Sequence, residues 1–356
     1  MVTLLFVFFS LPLSNKMFGV AEIFDSFKWF ALYGGVILIF ILKGKAYSLP
    51  LIKVNVLFFA FFCTQILALV FYNEDPFGLL LKISTMYIIV FLGFNLRKFE
   101  SQSETINFIY LFFLFSVFIT VISLFLYPVG VFGDRLAGFF DNANSLAGIS
   151  TLSSVFCLWT CLVTSNRKTR IVFGLFLLIS VIVVLMTKSR AGLLSLGVVS
   201  LYVLYKGGAL KASLIMFIMI LFYSVANLYL TEIFVVRDIN FDNRVDLFSN
   251  QFHTFLQSPI FGYGLGESSE YVILAESSYM SLLASSGIVG SLIFISIPMF
   301  LFISSLKSKD SRKVLSSISL LTILSLSATE AYLVGIGNPI SILYFTLLGY
   351  MSGEDY

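Results

Sequence analysis

The sequence predicts an all-α polytopic membrane protein with about twelve transmembrane helices, and three observations carry that prediction. Of 356 residues, 59% are hydrophobic and only 12% charged, where a soluble domain of this size carries about 25% charged residues. The apolar residues, led by 41 Phe, fall in runs of about 17 to 25, the length that spans a bilayer as a helix. The polar joints between these runs alternate in charge. A β-barrel is excluded, because the runs do not alternate apolar and polar with period two.

In chain order the spans read 2–14, 27–43, 54–72, 77–96, 105–127, 143–165, 170–187, 190–206, 211–230, 278–304, 314–330 and 336–352. The first run, M-V-T-L-L-F-V-F-F-S-L-P-L-S-N-K, is short for a span. It has neither the basic start nor the small-residue cleavage site of a secretory leader, so it reads as a retained first helix. Every second joint is basic: Lys43/Lys45/Lys53, Arg97/Lys98, Arg167/Lys168/Arg170, Lys206/Lys211 and Lys307/Lys309/Arg312/Lys313. These joints hold 14 of the 22 Lys and Arg but, with the C-terminal tail, only 5 of the 19 acids. Positive charge concentrates on the cytoplasmic side of membrane proteins, which places both termini in the cytoplasm. Pro128–Asn142, Thr187–Arg190, Thr231–Ser277 and Glu330–Pro339 then face outward.

Thr231–Ser277, between spans 9 and 10, is the one long polar segment and the expected place for chemistry. Within it, Arg244–Gln257 reads as an amphipathic helix. Val245, Phe248, Phe252, Phe255 and Leu256 recur at helical spacing, suited to lying on the outer leaflet or capping a cavity. Pro259 ends it. Gly262, Gly264 and Gly266 follow in F-G-Y-G-L-G, either as a tight turn returning the chain to the membrane or as a backbone cradle for a sugar or phosphate. No strand precedes them and the spacing is wrong for a nucleotide fingerprint.

Positive charge is sparse on the outer side, so three arginines stand out: Arg135 in G-D-R-L-A-G, Arg190 at the start of a span in T-K-S-R-A-G, and Arg244 in D-N-R-V-D. An ionisable group near membrane depth is by default a functional hypothesis, and the arginine fork pairs bidentately with phosphate. Arginines converging from separate loops would clamp a pyrophosphate. The competing reading is snorkelling or pairing with Asp134, Asp238, Asp242 or Asp246. Lys82 and Lys188 are weaker candidates of the same kind. Glu276, at the outer end of span 10, is placed to accept a proton from a sugar hydroxyl, or else to face the helix dipole. His253 is the only histidine and has no partners at metal-ligand spacing. Cys63, Cys157 and Cys161 lie inside apolar runs and suggest neither disulfides nor a metal site.

At these residues the chain resembles the O-antigen ligase / O-antigen polymerase (Wzy) superfamily of bacterial membrane glycosyltransferases. Four patterns follow in order. G-D-R-L-A-G-F-F-D-N-A-N-S-L-A is similar to the family's R-x-x-G-x-F-x-N-P-N-x-x-A, with Ala143 in place of proline. T-K-S-R-A-G-L-L resembles T-x-S-R-x-x-x-L. N-R-V-D-L-F, leading to S-P-I-F-G-Y-G-L-G, resembles the family's Arg-bearing helix before P-x-x-G-x-G. E-S-S-Y-M-S-L-L-A-S-S-G-I-V-G resembles H-N-x-Y-L-x-x-L-x-x-x-G-x-x-G. The last departs from the ligases, which carry His where this chain has Glu276, and that favours a polymerase.

The resemblance implies a GT-C-like helical fold in the bacterial inner membrane. It also implies donor and acceptor glycans linked to undecaprenyl diphosphate, with no metal, cofactor or nucleic acid. A chain-length regulator protein is a further partner to expect. Carried over, Arg190 and Arg244 hold the donor pyrophosphate, Arg135 supports the site, and Glu276 stands in for the base or acceptor-orienting group. Arg135, Lys188, Asn142, Asn144, Tyr263 and Tyr279 lie within the same patterns as substrate-binding candidates. The alternatives are a ligase acting on lipid A-core, which predicts His at position 276, and a flippase, which needs polar groups through both leaflets.

Overall fold

The computed structural model describes Tyr33, Gly34, Ile37 and residues 52–72, 76–103, 108–127, 130–132, 135–140, 142–209, 241–265, 277–308, 310–336 and 338–353. These residues form ten helices and one small hairpin. In order they are α1 (Ile52–Tyr72), α2 (Pro76–Ser103), α3 (Phe108–Phe125), β1 (Val131–Phe132), β2 (Arg135–Leu136), α4 (Ala143–Val163), α5 (Arg167–Met186), α6 (Arg190–Lys206), α7 (Phe241–Gln257), α8 (Ser278–Ser305), α9 (Ser311–Leu326) and α10 (Pro339–Ser352). Six are long and apolar enough to cross a bilayer (α1 to α5 and α8), and α10 is a shorter apolar helix. The expected spans 2–14 and 211–230 lie outside the described residues, as does 27–43 apart from Tyr33, Gly34 and Ile37.

Helix starts follow the capping chemistry of the sequence. The side chains of Asn142, Asn166, Ser189 and Asn338 accept from the first-turn amides of α4, α5, α6 and α10, satisfying donors that have no partner within the helix. Pro339 opens α10, where its missing N–H costs nothing.

The chain divides into two compact units, one of residues 1–108, 241–320 and 327–356, the other of 109–240 and 321–326. In the first, α2 and α10 meet backbone to backbone. A Cβ at Gly93 would collide with the Thr346 carbonyl oxygen, and one at Gly349 with that of Val90. Small residues permit this approach, the main device for packing helices in lipid. Gly349→Leu is therefore expected to destabilise the protein by about 3 kcal/mol or more, read as lost thermal stability in detergent. Nearby, Arg97 donates to the Tyr350 hydroxyl at 3.3 Å, lies over its ring and pairs with Asp310 at 4.0 Å. Helix α1 packs on α8 through Phe61 and Phe294, with centroids 4.9 Å apart, and through Gln65, whose amide donates to Ser286 Oγ at 3.0 Å.

In the second unit α4 is the buried centre. Phe156 stacks on Phe113 of α3 at 4.6 Å, Ser153 bonds Ser180 of α5 at 2.7 Å, and Thr151 donates to the Gly192 carbonyl of α6 at 3.3 Å. Cys157 is buried and Cys63 and Cys161 are partly so, all three as free thiols.

Candidate functional site

Five of the residues singled out by the sequence meet in the second unit. The hairpin pairs Val131 with Leu136 and Phe132 with Arg135, which fixes the backbone from which the Arg135 side chain departs. Its Nε donates to the Thr187 carbonyl at 2.8 Å, and its Nη2 donates to Asn144 Oδ1. Asn144 stands in the first turn of α4, and its own amide donates to the side chain of the exposed N-cap Asn142 at 2.9 Å. Thr187 belongs to the three-residue connection Thr187-Lys188-Ser189 between α5 and α6. One guanidinium thus links the hairpin to the start of α4 and the end of α5.

That connection is bent tightly. Thr187 Oγ1 donates to the Val184 carbonyl at 2.6 Å, and the Lys188 amide donates to the Leu185 carbonyl at 3.0 Å. Lys188 has φ +49°, the one positive φ at a non-glycine among the described residues. A left-handed backbone costs an L-residue about 1–2 kcal/mol, and it persists only where surrounding contacts over-determine it. The bend leaves Lys188 half-buried and Arg190 exposed as the first residue of α6. Two cationic side chains beside a helix N-terminus form an anion-binding arrangement, because the first-turn amides add their own partial positive charge.

The first unit holds a different arrangement. Helix α8 breaks at Gly287, which has φ +60° and ψ −172°. The turn after α7 is seated in the break. Tyr263 and Gly264 donate their amides to the Ala284 and Ser285 carbonyls at 3.1 and 2.7 Å. Ile288 and Val289 donate theirs to the Pro259 and Ile260 carbonyls at 2.8 and 3.3 Å. The groups orphaned by the broken helix are thereby paired, the condition for irregular backbone within a membrane. Gly287 lies nine residues past the start of α8, about 13 Å down its axis. The glycine segment is therefore a re-entrant turn, and Gly262 to Leu265 are buried in it.

Helix α7 is oriented accordingly. Phe248, Phe252 and Leu256 are exposed while Gln251 is 3% exposed, so the apolar edge is turned outward and a polar side chain inward. A helix reaching into the acyl region would be so disposed. His253 is exposed on it. Arg244 lies in its first turn, and Glu276 falls outside the described residues. Tyr263 donates its hydroxyl to Gln257 Oε1 at 2.9 Å, and Tyr279 is half-buried in the first turn of α8. Lys82 donates to the Leu265 carbonyl at 3.2 Å.

Sequence reasoning missed the residue that fixes the start of α8. Ser278 donates its amide to the Ser327 and Glu330 carbonyls and its hydroxyl to Glu330, and it accepts from the Leu333 amide. In the same loop, burial pushes the Tyr332 hydroxyl well above the ordinary tyrosine range, and the Glu330 carboxylate adds to the effect. Also missed was the hairpin, although Gly133-Asp134 between Phe132 and Arg135 is a two-residue turn signal.

Six bilayer-length apolar helices, a broken span and a re-entrant turn define a multi-pass helical membrane protein. Residues 152–295 match the family model described as O-antigen ligase (Wzy_C). The matched segment includes Lys188, Arg190, α7, the re-entrant turn and the break in α8. No curated protein matches the chain.

Proposed function

We propose that this protein is a surface-polysaccharide polymerase of the O-antigen type. It joins oligosaccharide repeat units linked to undecaprenyl diphosphate on the outer face of the cytoplasmic membrane. The observation that carries the reading is the Lys188–Arg190 turn at the start of α6, held by Arg135 inside the family-matched segment. Glu276, where the ligases carry His, favours polymerase over ligase.

In this reading an acceptor sugar hydroxyl attacks the anomeric carbon of the donor. The new glycosidic C–O bond forms as the bond to the pyrophosphate oxygen breaks, with inversion, and undecaprenyl diphosphate leaves. Glu276 accepts the hydroxyl proton. Arg190 and Arg244 neutralise the charge that develops on the departing pyrophosphate, the service a metal ion performs elsewhere. Lys188, Asn142, Asn144, Tyr263 and Tyr279 are assigned to substrate contacts, direct or through the backbone they hold. The flippase reading predicts no bond formation.

The test is purified protein with undecaprenyl-diphosphate-linked repeat units and no added metal, read by gel. A ladder of lengthened lipid-linked glycan supports the polymerase. Transfer only after addition of lipid A-core makes it a ligase, and the absence of both products removes the glycosyltransferase reading. Glu276→Gln is expected to lower turnover by roughly 10²-fold or more while donor binding persists. Full turnover would demote Glu276 to a helix-end acid.

A further inference from the structure

We propose that Arg135 is a positioning residue. It fixes the Thr187–Arg190 turn in the bend that presents Lys188 and Arg190, and does not itself bind phosphate. The inference rests on the assignment of that turn to the donor pyrophosphate and deepens it.

The geometry separates the two roles. The Arg135 guanidinium donates from Nε to the carbonyl of Thr187 and from Nη2 to the side chain of Asn144. These acceptors lie on different segments, the end of α5 and the start of α4. A guanidinium is a rigid planar fork, so swinging it onto a phosphate would break both bonds together. The Thr187 carbonyl is one of the acceptors that the end of α5 leaves without a helical partner, and the next residue is the left-handed Lys188. Arg135 therefore pins the turn immediately before its strained residue. Ser189 pins it after, its hydroxyl accepting from the Gly192 amide at 3.3 Å.

Lysine and glycine substitutions tell positioning from binding. Lysine binds phosphate well as a point charge but cannot reproduce the fork. If Arg135 positions the turn, Arg135→Lys loses nearly as much kcat as Arg135→Gln, roughly tenfold in each case. If it binds phosphate, Arg135→Lys retains most of the activity and the loss in Arg135→Gln appears in KM for the donor. The backbone at residue 188 supplies the second contrast. The cost of Arg135→Gln should persist on a Lys188→Ala background, where the left-handed strain is kept. It should shrink to within about twofold on a Lys188→Gly background, where glycine adopts that backbone freely. Equal costs on both backgrounds overturn the proposal.

A readout independent of turnover completes the test. Hydrogen exchange on the full-length protein in detergent should show faster exchange at the Lys188–Leu193 amides in Arg135→Gln and in Arg135→Lys. Unchanged protection there overturns the positioning role. Because this measurement needs no substrate, it stands even if the parent protein makes no polymer, so failure of the polymerase reading and failure of this inference are told apart. Where Arg135→Gln does not fold, the comparison is made with Arg135→Lys, which keeps the charge.

Discussion

Gly287→Ala and Gly262→Ala are each expected to destabilise the protein severely, with loss of folded material in detergent. The two glycines face one another across the break in α8. A Cβ at Gly262 would collide with the backbone of Ser285 and Ser286, and one at Gly287 with the carbonyl of Ile260. Both also hold positive φ, +69° and +60°. The positive-φ backbone costs an alanine about 1–3 kcal/mol, and the overpacking adds about 1–3 kcal/mol. Neither backbone can retreat alone. Four main-chain hydrogen bonds tie 259–264 to 284–289, and separating them inside a membrane leaves groups that nothing else can pair. Gly174→Ala is the control. Nothing lies within 4 Å of its Cβ, and alanine is the better helix former by about 1 kcal/mol, so stability should hold or rise. If Gly287→Ala unfolds at the same temperature as the parent protein, the seated turn is not what holds the break.

The break was not legible in the sequence, and the reason is physical. Residues 278–305 form one apolar run, and S-S-G-I-V-G within it fits a continuous helix with two tolerated glycines. What breaks the helix is its partner, the turn at 259–264, and neither segment carries the signal without the other. Local signals did better. The helices at 143–163, 167–186 and 190–206 begin directly after Asn142, Asn166 and Ser189, which are capping residues by type. The amphipathic segment before Pro259 is helix α7. Its orientation was beyond the sequence, because lipid and protein core are equally apolar, and only the structure turns Phe248, Phe252 and Leu256 outward and Gln251 inward. Likewise the three arginines stood out by position. That Arg135 reaches Thr187 across 52 residues follows only from how the hairpin, α4 and the α5–α6 turn pack.

Arg190→Ala is expected to cut kcat by roughly 10²–10³-fold, the usual cost of removing a group that meets developing charge on an oxyanion. Thermal stability should stay close to that of the parent protein. The reason for the split is where Arg190 stands. It is exposed at the first position of α6, so alanine leaves no buried cavity and keeps the Ser189 cap in place. It also directly follows the bend at Lys188. Arg190→Lys should recover part of the loss, because it restores the charge without the bidentate fork. Arg244→Ala should fall in the same range if both arginines serve the same leaving group. Inorganic pyrophosphate supplies the direct reading. It should inhibit the parent enzyme and do so at least tenfold less effectively in Arg190→Ala, because the clamp recognises the diphosphate rather than the sugar. Turnover retained in both alanine variants, with inhibition unchanged, would remove the arginine clamp and leave the developing charge to the helix N-termini alone.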